Sequence, residues 1–554
     1  MLRLGTRSII AFVVMVLAVS AVLMIVPAVR ESQTSDEATY VVSGLSYWKT
    51  GDFRLNVEHP PLLKELLSLP AFVRGARFFA NASDWNGASQ WDVAPKVLYG
   101  NSTPGSQLLT DARFVNVLLA LILIVVTSWW SFKTWGKWGG LVTLIIVAFE
   151  PNLLAHGHLA TTDVGYALGV IGSLVTFGFF LERPVVLRMV VAAAVFSFAL
   201  LTRFNALLLI VLLPIQYFVT VQRSRGSVRL DRRTLMKTVL VFFLMSVVVV
   251  WACYGFEVRS LDRVQDSSAR EQLELFGAFG RFLERIPLPA ASYMSGTLWQ
   301  LEHSVSGQIA YLFGNVRMGG WWYYYPTAIV IKMTLGALAL VLIALFIRKS
   351  SPSKDDTRRV FTGTFIAVPA TVLMASAMIT HLDIGVRYAL PVICMLVVTA
   401  GASVTIRMRA QARIVIVVAL LCFHIASVVR AFPHFIPYAN EAFGGSQKLS
   451  KYLVDSNLDW GQDLDLLRQY FEKNNISDYR LSPFSNVPLW AYGLQGTAAP
   501  SDGELAFQPY SGVVAIGVTE LMYNAGRYQW LARSKPTAII GHSINVYDFR
   551  DFSR

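Results

Sequence analysis

Long apolar runs recur through the first 431 residues of this chain, and they constrain its fold more than any other feature. A helix needs roughly 20 apolar residues to cross a hydrocarbon core of about 30 Å, because each residue advances it by about 1.5 Å. Runs of about this length cover residues 8–29, 112–131, 138–155, 163–181, 186–202, 205–221, 236–254, 326–347, 360–380, 388–406 and 412–431. The sequence therefore predicts an α-helical polytopic membrane protein with about eleven transmembrane helices.

The composition agrees with a bilayer environment. Hydrophobic residues make up 54% of the chain and charged residues 15%, whereas a soluble domain carries about 25% charged residues. The net charge of +13 would suggest a nucleic-acid partner in a soluble protein, but here the positive charges gather between the apolar runs. Basic residues in such places are topological signals, so we expect no nucleic-acid partner.

The three cysteines lie inside apolar runs. Cys253, Cys394 and Cys422 have no spacing typical of a metal site. They indicate neither a disulfide framework nor a thiolate ligand set.

The distribution of Lys and Arg predicts the orientation of the chain. With a cytoplasmic N-terminus, the basic segments around 132–137, 222–237, 348–359 and 407–413 all lie inside, and the short outer turns hold only Arg203 and Arg387. This asymmetry is what the positive-inside rule describes. A cleaved signal peptide is the alternative for the first run, which is long for a signal core.

Two loops, 30–111 and 255–322, and the region 432–554 are then extracytoplasmic. The chain divides into a transmembrane module, 1–431, and a C-terminal domain, 432–554. Within that domain a polar helical pattern at 446–473 and short strand-like runs at 513–517 and 537–541 predict a small α/β domain.

Acidic residues stand at the predicted outer face. Asp36 and Glu37 follow the first apolar run and precede a helix-compatible stretch. An acidic first helical turn that complements the helix dipole is the simpler interpretation of this pair. Asp163 begins a later apolar run, and because a carboxylate facing lipid is costly, we expect it to face protein or a water-filled cavity.

The segment from Glu58 to Lys64 combines charged residues with a proline-initiated amphipathic helix. Its Pro60-Pro61 pair favours a helix start, and the leucines that follow suit an interfacial position. Glu58 and His59 are residue types that ligate divalent ions, and Lys64 would neutralise a phosphate. An amphipathic helix without a ligand explains the same pattern.

Other cations and histidines are placed near the same face. Arg203, Lys332 and Arg387 would suit an anionic headgroup such as a lipid-linked phosphate or pyrophosphate. The alternative is snorkelling to the interface or an ion pair of Arg387 with Asp383. His303 belongs to the second outer loop. His156 and His158 lie in the turn before Asp163 and are weaker candidates, because histidines in interfacial loops are more often hydrogen-bonded structural residues.

In this order the segments resemble the glycosyltransferase C superfamily. The similarity is to the branch of protein O-mannosyltransferases and the lipid A aminoarabinose transferase, glycosyltransferase family 39 and its bacterial relatives. Asp36-Glu37 resembles the acidic pair of that family, Glu58-His59-Pro60-Pro61-Leu62-x-Lys64 its HPPL-K element, and Asp163 its second acidic residue. The stretches 303–332, 387–391, 440–445 and 455–463 are similar to uncharacterised bacterial members. No β-trefoil insert is recognisable in the second outer loop, so protein acceptors are not specifically implied.

The resemblance implies transfer of a sugar from a polyprenyl phosphate donor, with inversion at the anomeric carbon. The acceptor class stays open among lipid, glycan and protein, and the location is the outer face of the plasma membrane, of the bacterial inner-membrane type. The implied catalytic residues are Asp36, Glu37 and Asp163, with Asp36 as the base. Glu58 and His303 would hold a divalent Mg, Mn or Zn ion. The residues expected at the donor phosphate are His59, Lys64, Arg203, Lys332 and Arg387.

Two other function classes fit a polytopic membrane protein. A transporter or flippase of an anionic lipid-linked substrate would place ionisable residues near the bilayer midplane on paired broken helices. A membrane-anchored binding or assembly protein would act through its C-terminal domain. The clustering of ionisable residues at one face favours the transferase.

Overall fold

The computed structural model describes residues 5–261, 277–346, 360–505 and 510–550. The predicted inner loop 348–359 and part of the second outer loop, 262–276, lie outside the described residues. The helices of the first half are α1 (Thr6–Arg30), α2 (Glu37–Thr50), α3 (Pro61–Val73), α4 (Ala82–Asn86), α5 (Gln90–Tyr99), α6 (Gly105–Ala148), α7 (Pro151–Gly157), α8 (Asp163–Glu182), α9 (Val186–Leu200), α10 (Leu209–Arg223) and α11 (Arg232–Cys253). Those of the second half are α12 (Gly277–Arg285), α13 (Ala291–Ser306), α14 (Tyr324–Lys332), α15 (Leu335–Phe346), α16 (Gly363–Ile379), α17 (Leu390–Ala400), α18 (Ala410–Ala431), α19 (Leu464–Lys473), α20 (Asp502–Leu505) and α21 (Val518–Tyr523). The strands are β1 (Val258–Arg259), β2 (Leu288–Pro289), β3 (Ile309–Leu312), β4 (Asn315–Met318), β5 (Tyr479–Ser482), β6 (Val513–Gly517), β7 (Ala538–Ile540) and β8 (Ile544–Asp548).

The predicted helical polytopic fold is confirmed. In the described ranges seven helices are long and apolar enough to cross a membrane, or eight if the bent pair α14 and α15 is one span. This number is below eleven because α9 and α16 have only 15 and 17 residues, whereas adjoining 3-10 turns extend α10 and α17 to 20 residues each. In addition, the 44-residue α6 contains the second predicted span and most of the third. The two parts of α6 meet at Gly136, whose φ of 79° lies in the left-handed region that favours glycine.

The predicted single span 326–347 is instead two helices bent by 118°. The backbone becomes extended at Met333, and the Thr334 hydroxyl accepts an N–H of the following turn at 3.2 Å. Lys332 Nζ donates to two backbone carbonyls of the C-terminal region, at 2.5 and 2.7 Å. These polar contacts satisfy the chain at the break, and the length of an apolar run does not reveal them.

The loop 30–111, predicted to be extracytoplasmic, contains helices α2 to α5. Helix α3 starts at Pro61, as the proline pair predicts. It packs closely on α2 at Gly44, where any β-carbon would lie 2.0 Å from the carbonyl oxygen of Lys64. A glycine is therefore required there, and the contact fixes the α2 segment that follows Asp36 against the segment that carries Lys64.

The C-terminal region contains the predicted small α/β domain. Its four-stranded sheet has the order β5-β6-β8-β7, with β5 parallel to β6 and the other pairs antiparallel. Alternate residues of β6 enter different cores: Val513 packs with α19, and Val514 packs with Tyr528 and Leu531. Both faces of the sheet are therefore covered.

The predicted helix over 446–473 is wrong in its first two thirds. Only α19 is α-helical, and short 3-10 turns cover 446–451 and 455–457. Asp455 and Gly461 have φ values of 59° and 99°, which an α-helix does not accept. The segment 455–463 is irregular, and it contributes to the site described below.

The charge asymmetry predicts which side of the membrane each exposed segment faces. In a variant without the three native cysteines, a single cysteine replaces Ser227 or Lys473, both of which are exposed. A membrane-impermeant maleimide added to intact cells is expected to label the cysteine at 473 and to spare the one at 227. Detergent-permeabilised cells serve as the control for reactivity of both positions, and labelling of 227 in intact cells would contradict the orientation.

Candidate active site

Asp36 lies directly before α2, where a carboxylate receives the favourable field of the helix N-terminus. Its Oδ2 accepts a hydrogen bond from Arg387 Nη1 at 2.9 Å and one from the Tyr40 hydroxyl at 3.4 Å. Its side chain is 19% exposed, whereas that of Arg387 is 7% exposed. Asp36 is therefore held by a buried cation and still reached by solvent.

Asp163 joins the same arginine to a second one. It is the first residue of α8 and is 1% exposed. Its Oδ1 accepts a hydrogen bond from Arg203 Nη1, and its Oδ2 lies 3.7 Å from Arg387 Nη1. The expectation that Asp163 does not face lipid is met by this double pairing, which a buried carboxylate requires.

The two arginines alternate with the two carboxylates, so the formal charges of this four-residue cluster cancel. We call Asp36, Arg387, Asp163 and Arg203 the outer cluster. Burial lowers the pKa of Arg203, but the Asp163 carboxylate raises it more, so the pKa lies above its ordinary value. The predicted alternative pair of Arg387 with Asp383 is not formed, because Asp383 Oδ2 accepts the backbone N–H of Trp321 instead.

Aromatic rings cover the arginines of the outer cluster. The Arg387 guanidinium lies 4.1 Å from the ring centre of Trp460, and that of Arg203 lies 4.3 Å from the ring centre of Tyr388. Stacking on an aromatic face fixes the plane of a guanidinium and its hydrogen-bonding directions. The sequence placed Trp460 only within a stretch of family resemblance and gave no signal for its contact with Arg387.

An apolar cavity of about 270 Å³ adjoins the outer cluster. Its lining includes Tyr166 and Tyr388, whose rings also face the Arg203 guanidinium. Leu208, Leu373 and Val392 line its apolar part. The Arg203 guanidinium therefore contacts two of the rings that line this apolar cavity.

Glu37 is fully buried and has no free lone pair. Its two oxygens accept hydrogen bonds from Arg113 Nε and Nη2 at 2.8 and 2.6 Å and from the backbone N–H groups of Thr34 and Ala160. Burial raises the pKa of Glu37, but the Arg113 charge and these hydrogen bonds lower it more, so it lies below its ordinary value. This geometry gives Glu37 a positioning role next to Asp36, whereas its predicted catalytic role has no support from it.

Lys64 is also saturated by protein partners. Its ammonium donates to the Tyr47 hydroxyl at 2.8 Å and to the backbone carbonyls of Asn56 and His59 at 2.5 and 2.7 Å. Burial lowers its pKa to about 7. Lys64 therefore ties the loop 56–59 to α3, and its N–H groups are occupied by protein acceptors.

The predicted metal ligands are not brought together. Glu58 Oε1 accepts from the Gln90 amide at 2.7 Å, and burial raises the pKa of Glu58. His303 stacks on Trp299 with ring centres 4.7 Å apart. Across the four described ranges no three His, Cys, Asp or Glu side chains form a group able to hold a metal ion. The described side chains thus do not fit a metal held by the protein alone.

The comparisons with known proteins give similarity to solved structures only. No family model and no curated protein matches the sequence. The chain is similar to ArnT from Cupriavidus metallidurans in the apo state, with 14% identity, a TM-score of 0.49, and 97% of this chain and 98% of that chain covered. ArnT bound to undecaprenyl phosphate gives 14% identity, a TM-score of 0.45 and 97% coverage of both chains.

An archaeal protein gives a similar result. The oligosaccharyltransferase of Archaeoglobus fulgidus, in complex with Zn and sulfate, has 11% identity and a TM-score of 0.42, with 91% of this chain and 68% of that chain covered. At such identities and TM-scores these similarities assign neither an activity nor a ligand to this chain. Its function is therefore argued from its own residues.

Removal of Arg113 tests the positioning role of Glu37. Arg113→Met leaves a buried carboxylate without its cation, which typically costs about 3 to 5 kcal/mol. We expect a corresponding loss in the free energy of unfolding, measured by thermal denaturation in lipid nanodiscs. Arg74→Met is the matched control, because its ion pair with Asp111 is solvent-exposed and we expect no measurable change. Equal stability of the two variants would contradict the role.

Proposed function

We propose that this chain is a membrane glycosyltransferase that moves a sugar from a polyprenyl phosphate donor to an acceptor at the outer face of the plasma membrane. The observation that carries the proposal is the neutral outer cluster beside an apolar cavity, with Asp36 as its exposed member. The resemblance of Asp36-Glu37, the 58–64 segment and Asp163 to the glycosyltransferase C superfamily supports it. The acceptor and the sugar are not part of the proposal.

The donor binds with its isoprenoid chain in the apolar cavity and its phosphate at the arginines. The Arg203 guanidinium contacts Tyr388 of the cavity wall and the Asp163 carboxylate, and a phosphate bound beside it would accept charge-assisted hydrogen bonds. A donor phosphodiester carries one negative charge. Because the outer cluster has no net charge, it admits such an anion without the repulsion that the carboxylates alone would exert.

Asp36 acts as the general base. The acceptor hydroxyl approaches from the aqueous side, where Asp36 is partly exposed, and gives its proton to a carboxylate oxygen as its own oxygen bonds to the anomeric carbon. The bond from the anomeric carbon to the phosphate oxygen breaks, and its electron pair leaves with the phosphate. Attack opposite to the leaving group inverts the anomeric carbon.

Proton transfer also redistributes charge within the outer cluster. Once Asp36 is protonated, its pull on Arg387 is lost, and that guanidinium is released toward the leaving polyprenyl phosphate, which has become a dianion. Electrostatic stabilisation that strengthens as charge develops accelerates the chemical step. The mechanism uses only residues of this chain; the described side chains supply no ligand set that would route a step through a metal ion.

Transport of a lipid-linked anion is the second candidate, because α14 and α15 form a broken helix near Lys332. Transporters of this kind usually carry paired broken helices in two repeats. The described ranges contain one bent pair, and the outer cluster lies at helix ends. A transferase consumes the donor, whereas a transporter moves the intact donor into the opposite leaflet, so measurement of both processes separates the two candidates.

Loss of the base should damage turnover far more than binding. Asp36→Asn is expected to reduce kcat by about 10² to 10⁴, the usual range for general-base loss, while the KM for the donor changes little. Asp52→Asn is the control, an outer carboxylate that pairs with Arg54 away from the outer cluster. Wild-type turnover in Asp36→Asn, at matched expression, would remove Asp36 from the mechanism.

Loss of Arg387 should weaken donor binding. Arg387→Ala removes a charge-assisted hydrogen bond, worth about 1.5 to 3 kcal/mol, so we expect the KM for the donor to rise by one to two orders of magnitude. Arg387→Lys should recover only part, because a point charge does not reproduce a planar guanidinium. Unchanged donor affinity in both folded variants would restrict Arg387 to pairing with Asp36 and Asp163.

A further inference from the structure

Several buried polar atoms around the outer cluster have no hydrogen-bond partner among the described residues. They are His59 Nδ1, His156 Nδ1, Asp163 Oδ2 and Arg387 Nε. All four side chains are more than nine-tenths buried. Buried polar atoms are paired in the great majority of cases, so four unpaired ones at one place indicate a missing polar partner.

His156 and Arg387 both lie next to the Trp460 ring. The His156 ring lies 6.2 Å from the Trp460 ring, and the Arg387 guanidinium lies 4.1 Å from the same indole. His156 also interacts electrostatically with Asp163 and Arg387. His156 therefore borders the outer cluster on the side of the C-terminal segment.

His59 borders the outer cluster on another side. Its ring lies 5.7 Å from that of Tyr40, whose hydroxyl donates to Asp36. It interacts electrostatically with Arg203 and Asp163. Both histidines thus border the outer cluster, and each has an Nδ1 atom without a hydrogen-bond partner in the described part of the chain.

Burial favours the neutral form of both imidazoles. Burial lowers the pKa of His156 to about 3 and that of His59 well below its ordinary value. A neutral imidazole offers one N–H donor and one acceptor nitrogen, and it contributes no charge to a phosphate. The predicted role of His59 at the donor phosphate therefore has less support than a role toward a neutral polar group.

Two threonines add further hydroxyl groups without hydrogen-bond partners. Thr161 and Thr162 are 1% exposed, and their hydroxyls have no partner. Thr162 directly precedes Asp163 at the start of α8 but makes no capping bond with its side chain. The backbone N–H of Ala160 donates to Glu37, so this segment lies next to the start of α2, where Asp36 is located.

Together, these unpaired atoms favour a ligand that both donates and accepts hydrogen bonds. A carboxylate oxygen only accepts and a guanidinium N–H only donates, while imidazoles and hydroxyls do either. A phosphate oxygen would satisfy Arg387 Nε but would leave Asp163 Oδ2 unpaired. Hydroxyl groups satisfy every member.

We propose that His59, His156, Thr162 and Oδ2 of Asp163 form the subsite for the sugar ring of the donor, with His156 as a specificity-determining contact to a sugar hydroxyl. This inference rests on the proposed glycosyltransferase function. It divides the site into a charged half that binds phosphate and a neutral half that binds the sugar. The sugar hydroxyls reach the neutral half while the phosphate remains at Arg203.

The test compares two probes on the full-length protein in lipid nanodiscs. One probe is polyprenyl phosphate; the other is a set of polyprenyl phosphates that carry a hexose, an N-acetylhexosamine or a pentose. The wild type is expected to bind one member of the set more tightly than polyprenyl phosphate. His156→Leu should weaken that binding at least about tenfold, the order of one lost hydrogen bond with its unpaired partner, and leave the affinity for polyprenyl phosphate unchanged.

Two further variants separate a loss of sugar binding from a folding defect. His156→Gln restores a neutral donor and acceptor and should recover part of the affinity for the sugar-bearing probe. Thr162→Val removes a hydroxyl that makes no bond in the structure, so a misfolded protein is not expected, and it should also weaken only the sugar-bearing probe. His434→Leu, a half-buried histidine near Asp463, is the matched control and should change neither affinity.

The outcomes separate this inference from the proposed function. Equal affinity of the wild type for both kinds of probe would overturn the subsite and would indicate that the unpaired atoms bind water only. An equal loss for both probes in His156→Leu and Thr162→Val would also overturn it. Selective binding of a sugar-bearing probe without turnover would support the subsite and overturn the transferase.

Discussion

Four ionised side chains meet where the helix ends converge, in an environment with little water to solvate them. Each buried charge there is stable only because the next one compensates it. Asp36 comes from the start of α2, Asp163 from the start of α8, Arg203 from the turn after α9 and Arg387 from the turn before α17. The pairing therefore fixes four separate elements relative to one another, and the same pairing makes the site neutral toward an incoming anion.

The C-terminal domain participates in this arrangement. The backbone N–H groups of Ser32 and Ser35 donate to the carbonyl oxygens of Gln462 and Trp460, at 2.9 and 3.0 Å. The irregular segment 455–463 therefore fixes the residues that lead to Asp36. Its Asn457 side chain accepts the backbone N–H of Val386 at 2.9 Å, next to Arg387. One segment thus positions Asp36 and Arg387 together, which gives the C-terminal region a structural role at the outer cluster.

The sequence predicted what depends on composition and periodicity. Apolar runs located the membrane helices, and the proline pair located the start of α3. The break at Met333 was missed because polar contacts to the C-terminal region stabilise it, and those contacts join residues far apart in the chain. The irregular segment 455–463 was read as helix because its polar pattern fits one, while the positive φ values of Asp455 and Gly461 depend on tertiary contacts.

For the site, residue type and position near one face identified Asp36, Asp163, Arg203 and Arg387 as candidates, and the structure brings these four together. Glu37 and Lys64 were candidates on the same reasoning, yet their hydrogen bonds are satisfied within the protein. Sequence does not distinguish a charged residue that serves a ligand from one that holds a loop, because the difference lies in its partners. The sequence favours a structural role for His156, and its unpaired nitrogen is visible only in three dimensions.

The fate of the bridging oxygen of the donor tests the central claim most directly. The donor for this experiment is a polyprenyl phosphate sugar with a heavy-oxygen label between the anomeric carbon and phosphorus. It is incubated with the purified protein and an acceptor mixture, and the masses of the products are measured by mass spectrometry. Glycosyl transfer at the outer cluster breaks the carbon–oxygen bond, so the account predicts that all label leaves in polyprenyl phosphate. Label in the product that carries the sugar, or recovery of all the donor intact, would contradict it.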